Sequence, residues 1–334
     1  MAPGGHPTWD AILAEIRGAQ RILLALHVRP DGDSVGSSLA VARCVRSLGK
    51  QAVVVCSDPL PPNLAFLDPE RECLSPSAVV GPFDLGLFLD CADPGRLGTA
   101  QALLPELRCL INLDHHPSNT RYGQLNLIDC AAAACAELAL RLIDDLGAAV
   151  DPWVATILYV ALATDTGCFR HASTSARTLS MAARLRGAGA DLDLLSAEVW
   201  GNRSLPSLRL LGLALQTLTL DSGGELAWLE VSADALAAAG AEAEAIEGLV
   251  DYPRKLRGVE VAVLFAADRP GEVRVSLRSR GRVDVSALAA EFGGGGHARA
   301  AGCTLPGDLA AARALVLAAA RGVLSGASRA EGRP

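Results

Sequence analysis

The chain has 334 residues, half of them hydrophobic and only 4% aromatic, which is sufficient for two domains with sizeable cores. Its formal net charge of −7 excludes a protein that coats long nucleic acids through a generally basic surface. The nine cysteines form no CxxC pair, the N-terminus lacks the apolar run of a signal peptide, and no long apolar run is free of charges, so we expect a cytoplasmic protein without a membrane span.

Predicted strands and helices alternate along the first half of the chain. A helix over 9–18 precedes an apolar strand over 21–28, and a second helix ending near Gly49 precedes a strand over 52–57. Further predicted strands cover 84–91 and 108–114, and further predicted helices cover 131–145, 153–163 and about 176–185. This order is typical of a doubly wound parallel sheet.

The turn after the first strand, HVRPDGDSVGS, carries His27, Asp31 and Asp33 where a nucleotide-binding Rossmann domain would have GxGxxG. Carboxylates at this place would repel a pyrophosphate unless cations lay between them, so the turn indicates a metal site. The alternative is an Asx-turn with Asp33 as the N-cap of the following helix. That alternative explains one aspartate and leaves the other two residues without a role.

Other acidic residues and histidines follow apolar runs further along the chain. Asp90 lies at the end of the strand over 84–91, and Asp114, His115 and His116 end the next strand. Asp165 follows the apolar helix. Adjacent histidines in an extended segment point to opposite sides, so we do not expect His115 and His116 to bind one ion together. Ligands of open α/β sheets bind at the carboxyl ends of the strands, which favours a common site over an unrelated surface loop.

Carboxylates with a few imidazoles and no cysteine suit Mn²⁺ or Mg²⁺ better than structural Zn²⁺. The carboxylates are too many for one ion. Two ions about 3.5–4 Å apart that share one carboxylate would use them all, and such a pair performs in-line chemistry at phosphorus.

The second half of the chain has a different pattern of predicted strands and helices. Two β-hairpins are predicted, over 217–231 and 259–278, then a helix over 284–292, a glycine run before His297 and a last helix over 308–324. Residues 251–300 contain nine Lys/Arg and six Asp/Glu, which indicates a local basic site within an acidic chain. The predicted divisions are a metal-binding domain over 1–190, a helical linker over 191–215, a substrate-binding domain over 216–325 and a disordered tail over 326–334.

The blocks HVRPDGDSVGS, LDCAD, NLDHHPSN and ATDTGCFR, in this order, resemble the DHH phosphoesterase superfamily. The stretch SLRSRGRVDVSALAAEFGGGGHARAAG resembles its DHHA1 domain, and the blocks together extend from residue 27 to residue 302. Length and block order resemble the group of bifunctional oligoribonucleases and pAp phosphatases. Family-II pyrophosphatases share the first domain but lack the GGGH block, and RecJ-type exonucleases carry additional domains.

The resemblance implies a fold and a set of roles. The fold is α/β, with a doubly wound parallel-sheet DHH domain, a smaller mixed-sheet α/β DHHA1 domain and the active site in the cleft between them. One ion would be held by His27 and Asp31, the other by Asp33, His115 and Asp165, with Asp90 bridging the two. Asp114 would orient His115 through its second ring nitrogen, and His116 would serve the scissile phosphate as a donor or as the acid for the leaving group. Substrate binding would fall to Arg170, Arg278, Gly294, Gly295, Gly296, His297 and Arg299.

The implied activity is two-metal hydrolysis, with Mn²⁺ and with Mg²⁺ or Co²⁺ as substitutes. Its substrates would be short RNA or DNA oligonucleotides (nanoRNA), cleaved to mononucleotides, and 3'-phosphoadenosine 5'-phosphate (pAp), dephosphorylated. A phosphodiesterase for cyclic or linear dinucleotides (c-di-AMP, pApA, pGpG) and a RecJ-like single-strand exonuclease stay open as alternatives. A homodimer stays open as well.

Overall fold

A computed structural model describes residues 7–221 and 223–331, which divide into two compact α/β units after Asn202. The predicted helical linker over 191–215 is not a separate connection. Its second half is a helix, Leu205–Gln216, whose Leu210 and Ala214 are buried in a core cluster of the second unit. The boundary therefore lies within the predicted linker.

Six strands form the sheet of the first unit in the described ranges, and every pairing between them is parallel. They are β1 (Arg21–Ala25), β2 (Gln51–Val55), β3 (Cys73–Leu74), β4 (Leu85–Leu89), β5 (Leu110–Asp114) and β6 (Leu125–Ile128). The spatial order β3-β2-β1-β4-β5-β6 is the strand order of dinucleotide-binding folds. The crevice where the order reverses therefore lies at the carboxyl ends of β1 and β4.

The helices of the first unit are α1 (Pro7–Gly18), α2 (Gly32–Ser47), α3 (Ala136–Leu146), α4 (Pro152–Asp165), α5 (Ala176–Gly187) and α6 (Leu192–Leu195). Alternate residues of β1 enter the two cores of the sheet. Ile22 and Leu24 join the core formed with the α-helices, whereas Leu23 and Ala25 pack towards a largely 3₁₀-helical segment, Pro94–Glu106. Both faces of the parallel sheet are thus covered, as its apolar strands require.

A close approach of α2 to α4 depends on Gly36. A Cβ atom at this position would lie 2.6 Å from the backbone oxygen of Ile157 and 2.9 Å from the Ala161 side chain. Only glycine permits the contact without a shift of one helix. Gly36 therefore sets the distance between two helices that carry site residues.

The second unit has a mixed sheet with the order β11-β12-β10-β9-β8-β7. Its strands are β7 (Thr219–Leu220), β8 (Leu226–Ser232), β9 (Val261–Arg269), β10 (Glu272–Ser279), β11 (Gly295–His297) and β12 (Ala300–Pro306). The pairing of β8 with β9 is parallel, and the other pairings are antiparallel. The helices are α7 (Leu205–Gln216), α8 (Ala233–Ala239), α9 (Asp251–Arg254), α10 (Val285–Ala290) and α11 (Leu309–Glu331).

Both predicted hairpins are confirmed, as β7–β8 and β9–β10. The end of the chain differs from the prediction, because α11 continues to Glu331 where a disordered tail was expected from 326. Residues 332–334 of that tail lie outside the described residues. Within the described part of the chain, α11 alone contains a stretch, Leu309–Gly326, long and apolar enough to cross a membrane. Its Ala312, Val316 and Ala320 are buried in the core of the second unit, and core helices pass the same test.

Candidate metal centre

The turn between β1 and α2 presents a histidine and an aspartate to each other. Asp31 is the N-cap of α2, because its Oδ1 accepts a hydrogen bond from the Ser34 amide at 3.0 Å. Its other oxygen, Oδ2, lies 3.6 Å from Nε2 of His27. The N-cap is thus Asp31 and not Asp33, the residue named in the Asx-turn alternative, and the second oxygen of Asp31 remains directed at His27.

Asp33 lies in the first turn of α2 and is 1% exposed. Its Oδ1 accepts hydrogen bonds from Ser37 Oγ and from the Ala136 amide, both at 2.9 Å, and its Oδ2 accepts one from the Cys135 amide. Oδ2 also lies 3.9 Å from Nε2 of His115. Backbone donors at the start of α3 therefore fix the orientation of this carboxylate.

Asp90 follows β4 with a left-handed backbone, φ +58°, which is uncommon for a residue other than glycine. Its Oδ2 lies 3.6 Å from Nε2 of His27, and its Oδ1 lies 3.5 Å from Nε2 of His115. The two oxygens of one buried carboxylate thus face two different histidines. This is the arrangement that a bridging ligand requires.

Candidate ligand atoms form three groups in the described ranges, each with its atoms within 4.8 Å of one another. One group, Asp90, Asp114, His115 and His116, contains the two adjacent histidines that were not expected to share an ion, and its Asp114 and His116 are hydrogen-bonded to each other. Of the other two, the first group is His27, Asp31 and Asp90, and the second group is Asp33, His115 and Asp165. His27 Nε2, Asp90 Oδ1 and His115 Nε2 are buried without a hydrogen-bond partner. Buried polar atoms without partners are costly, and all three atoms point into these groups. The donor set therefore fits divalent cations.

The charges of the centre lead to the same conclusion. Burial, followed by the charge of Asp90, raises the pKa of Asp33 well above its ordinary value. Burial and the charge of Asp90 also raise the pKa of Asp165 to about 6, although His115 opposes the shift. Carboxylates crowded in this way stay ionised most readily when cations lie between them.

Each candidate ligand histidine has its Nδ1 directed at a backbone carbonyl. Nδ1 of His27 lies 2.9 Å from the Val28 oxygen, and Nδ1 of His115 lies 3.3 Å from the Ala132 oxygen. A proton on Nδ1 would donate to these carbonyls and leave Nε2 as the ligand atom in both rings. Arg96, which the sequence did not bring forward, also lies near His27, with Nη2 3.1 Å from Nδ1.

The resemblance implied that Asp114 orients His115 through its second ring nitrogen, but Asp114 contacts the ring of His116 instead. Its Oδ1 accepts a hydrogen bond from Nδ1 of His116 at 2.8 Å, and its Oδ2 accepts one from Asn119 Nδ2 at 2.6 Å. Burial opposes ionisation of Asp114, but these hydrogen bonds outweigh it and lower the pKa of the carboxyl group. Side chains alternate along an extended segment, so Asp114 and His116 lie on one side while His115 faces Ala132 on the other.

The segment after Asp165 is tightly wound. Gly167, Cys168 and Phe169 have consecutive positive φ values of 57°, 58° and 61°. Arg170, a predicted substrate residue, is exposed, and its Nε donates to the Gly167 oxygen at 2.6 Å. The left-handed conformation is energetically costly at Cys168 and Phe169, which are not glycine, so the surrounding hydrogen bonds must hold this turn beside the second group of ligands.

The remaining predicted substrate residues lie in the second unit. Arg278 is half-buried on β10, and burial lowers the pKa of its guanidinium. The last two glycines of the run, Gly295 and Gly296, lie in the edge strand β11, and Gly296 has φ +143°. Gly295 and Gly296 pair with β12, and Gly294 lies against it, because a Cβ there would meet the Gly302 oxygen at 2.2 Å.

Backbone register aligns two of these residues. His297 pairs with Ala300 on β12, and Ala300 pairs with Arg278 on β10, so the three lie in one row of the sheet. The side chain of His297 lies outside what the structure describes. Arg299 is exposed, with its guanidinium about 3 Å from where a Cβ on Gly281 would be. The second unit thus places the predicted residues near one end of its sheet.

Domain models of two families match the chain, the DHH family N-terminal domain over residues 21–162 and the DHHA1 domain over residues 230–325. A bifunctional oligoribonuclease and PAP phosphatase NrnA from Thermus thermophilus is 39% identical over 301 residues, 90% of this chain and 89% of the relative. The protein of that name from Bacillus subtilis is 26% identical over 85% of this chain and 89% of its own length.

A solved exopolyphosphatase-related protein from Bacteroides fragilis has the same fold, with a TM-score of 0.90, 23% identity and coverage of 96% of this chain and 97% of that chain. The two groups of ligands at the ends of β1, β4, β5 and α4 all fall on the blocks that suggested the resemblance. Both domain models match the chain in order, and a relative aligns with nine-tenths of the chain. The chain therefore belongs to the DHH/DHHA1 phosphoesterase family.

Proposed function

We propose that this hydrolase of phosphoester bonds is a Mn²⁺-dependent two-metal enzyme that degrades short oligoribonucleotides to mononucleotides and dephosphorylates pAp. The observation that carries the proposal is Asp90, whose two oxygens lie 3.6 Å from His27 and 3.5 Å from His115. The substrate assignment follows the names of the relatives that align along most of the chain. Mg²⁺ or Co²⁺ would substitute for Mn²⁺.

When bound, two divalent cations would offset the negative charge of the phosphate group and lower the pKa of a water molecule that serves as the nucleophile. The residues of this chain would hold the cations and orient the substrate. His27 and Asp31 would hold one cation, and Asp33, His115 and Asp165 would hold the other. Asp90 would contact both.

His116 would act on the substrate directly. Its Nδ1 donates to Asp114, so Nε2 is the ring atom that would carry a proton to an oxygen of the phosphate or of the leaving group. Burial opposes protonation, yet the hydrogen bond to Asp114 and the charge of Asp90 raise the pKa of His116. The raised pKa favours the protonated imidazole, which is the form that a general acid requires.

The second unit would recognise the rest of a short substrate. Arg278 and Arg299 would contact phosphate or base, and the backbone amides of Gly294–Gly296 would approach the ligand closely. Arg170 would add a cation from the first unit.

All nine cysteines, each within the described ranges, are free, which supports a reducing, cytoplasmic compartment.

The test combines chelation with a change at Asp90. Excess EDTA should abolish hydrolysis of a dinucleotide and of pAp, and Mn²⁺ should restore both. Asp90→Asn keeps a residue that tolerates the left-handed backbone but removes the bridging charge. Because Asp90 would contact both cations directly, we expect kcat to fall by more than the roughly 10–100-fold that is typical of losing a group that only orients a ligand. Activity that persists in EDTA, or a fully active Asp90→Asn protein, would contradict the two-metal proposal.

The substrate panel separates the alternatives. It contains di- to pentanucleotides, pAp, pGpG, cyclic di-AMP and a long single strand, each assayed with Mn²⁺. We expect the short oligonucleotides and pAp to give the highest kcat/KM. A preference for cyclic di-AMP or pGpG would identify a dinucleotide phosphodiesterase, and rates that do not fall with length would identify a RecJ-like exonuclease.

A further inference from the structure

A buried carboxylate behind the metal centre has no part in the function described so far. Glu137 lies in the first turn of α3 and is only 4% exposed. Its Oε1 accepts hydrogen bonds from Thr178 Oγ1 at 2.7 Å and from the Ala133 amide at 3.3 Å, and its Oε2 accepts one from Arg177 Nε. Two residues of α5 thus fix a carboxylate whose third donor comes from the chain just before α3.

That donor belongs to the 129–135 loop, which connects β6 to α3. The Asp129 amide donates to the Asp114 oxygen at 2.9 Å, so the loop starts directly beside the strand end that carries the histidines. Arg177 contacts the loop as well, because its Nη2 donates to Asp129 Oδ2 at 3.1 Å. One arginine therefore connects the beginning of the loop to Glu137.

The same loop orients two of the metal-ligand candidates. The Ala132 oxygen faces Nδ1 of His115 at 3.3 Å, and the amides of Cys135 and Ala136 donate to Asp33. Asp33 and His115 belong to one group of ligands, together with Asp165. Two residues of the other group are oriented from elsewhere, His27 by Val28 and Asp31 by Ser34.

We propose that Glu137 is a positioning residue for the Asp33–His115–Asp165 group, and that it acts through the backbone of the 129–135 loop. Its carboxylate fixes the Ala133 amide, and this holds the neighbouring Ala132 oxygen and the Cys135 amide against His115 and Asp33. Groups that orient metal ligands from behind typically change metal affinity about 10–100-fold when they are removed. The inference rests on the proposed two-metal function and predicts an effect on one cation position only.

The test measures Mn²⁺ uptake by metal-free protein with isothermal titration calorimetry, beside the thermal midpoint of the same samples. The wild type should bind two Mn²⁺ per chain. Glu137→Ala should weaken one of the two sites about 10–100-fold and leave the other unchanged. Glu137→Gln should restore most of the affinity, because its amide oxygen can still accept from Ala133 and Thr178.

A matched control is available on the same two helices. Asp144 of α3 pairs with Arg184 of α5, as Glu137 pairs with Arg177, but at the other end of α3. Asp144→Ala should therefore lower the thermal midpoint without changing either Mn²⁺ affinity. If Glu137→Ala does not fold, Arg177→Gln gives the same test from the surface, with a smaller loss at the same site.

Double variants identify the affected site. In a His27→Ala background, which disturbs the first group, Glu137→Ala should remove most of the remaining uptake. In a His115→Ala background, Glu137→Ala should change Mn²⁺ uptake little, because the site that Glu137 supports has already lost a ligand. Equal weakening of both sites, the same loss in Asp144→Ala, or wild-type affinities in Glu137→Ala would each overturn the inference. A wild type that binds no Mn²⁺ would overturn the proposed function and the inference with it.

Discussion

Asp90 has a strained backbone conformation and lies between His27 and His115. Its φ of +58° costs on the order of 1–3 kcal/mol for a side chain other than glycine. The left-handed backbone directs one carboxylate oxygen to His27 and the other to His115. Strained residues of this kind cluster at functional sites, and here the strain delivers a geometry that a regular strand end would not provide.

The two adjacent histidines should respond differently to substitution. His115→Ala removes a ligand candidate of the second group, so the content of bound metal should fall by about one ion per chain. His116→Ala removes a group that Asp114 orients, so both ions should remain while kcat falls about 10²–10⁴-fold. Metal analysis and steady-state kinetics on the two proteins check this, and Asp114→Asn should resemble His116→Ala. The reverse pattern would mean that the two histidines have exchanged roles.

Metal uptake should release protons. Burial lowers the pKa of His27 and of His115, but the close carboxylates of Asp31 and Asp90 around His27, and of Asp90 and Asp33 around His115, outweigh it and raise both to about 10 in the metal-free protein. Both imidazoles are then protonated at neutral pH and must lose a proton to bind a cation. Apparent Mn²⁺ affinity should therefore rise with pH from 6 to 9.

Calorimetry in buffers of different ionisation enthalpy counts the released protons, and we expect between one and two per chain. The stability of the metal-free protein should show the opposite trend. A pKa raised on folding contributes stability that is complete below the ordinary value near 6.5 and is lost as the pH rises towards 10. An Mn²⁺ affinity independent of pH would show that the histidines bind no cation.

At the level of elements, the contact between α2 and α4 sets the separation of Asp33 from Asp165. Gly36→Ala would place a Cβ 2.6 Å from the Ile157 oxygen, and the helices would have to separate. We expect a loss of about 1–3 kcal/mol in the free energy of unfolding, together with weaker Mn²⁺ binding. Chemical denaturation and calorimetry measure the two effects.

Gly212 is the matched control, because it lies within α7 and a Cβ there meets nothing within 4 Å. Gly212→Ala should stabilise the protein by about 0.5–1 kcal/mol, since alanine has the higher helix propensity. If Gly36→Ala had the same stabilising effect, the close helix contact would have no energetic role.

For the whole molecule, chemistry and recognition should be separable between the two units. Arg278→Ala removes a charge-assisted contact worth about 1.5–3 kcal/mol, so kcat/KM for a dinucleotide and for pAp should fall about tenfold or more. A small chromogenic phosphodiester that needs only the metal centre should be hydrolysed at nearly the wild-type rate. Arg269→Ala, an exposed arginine towards the opposite end of the same sheet, is the control and should change neither rate. Equal losses on both substrates would assign Arg278 to the support of the metal centre.

The sequence by itself determined which residues could meet. Apolar runs fixed the strands, and the carboxyl ends of parallel strands share one edge, so His27, Asp90 and His115 were predicted to lie together. The hairpins of the second unit were predictable for a similar reason, since apolar runs and turn residues are local signals. Local signals of this kind do not depend on packing.

Only the tertiary structure decided how each side chain is oriented. Asp31 and not Asp33 is the N-cap, Asp114 faces His116 and not His115, and Gly295 and Gly296 pair with β12. Glu137 gave no local signal, because its donors on α5 are about 40 residues away. Orientation depends on hydrogen bonds between segments distant in sequence, and these bonds exist only once the sheet, α3 and α5 have packed.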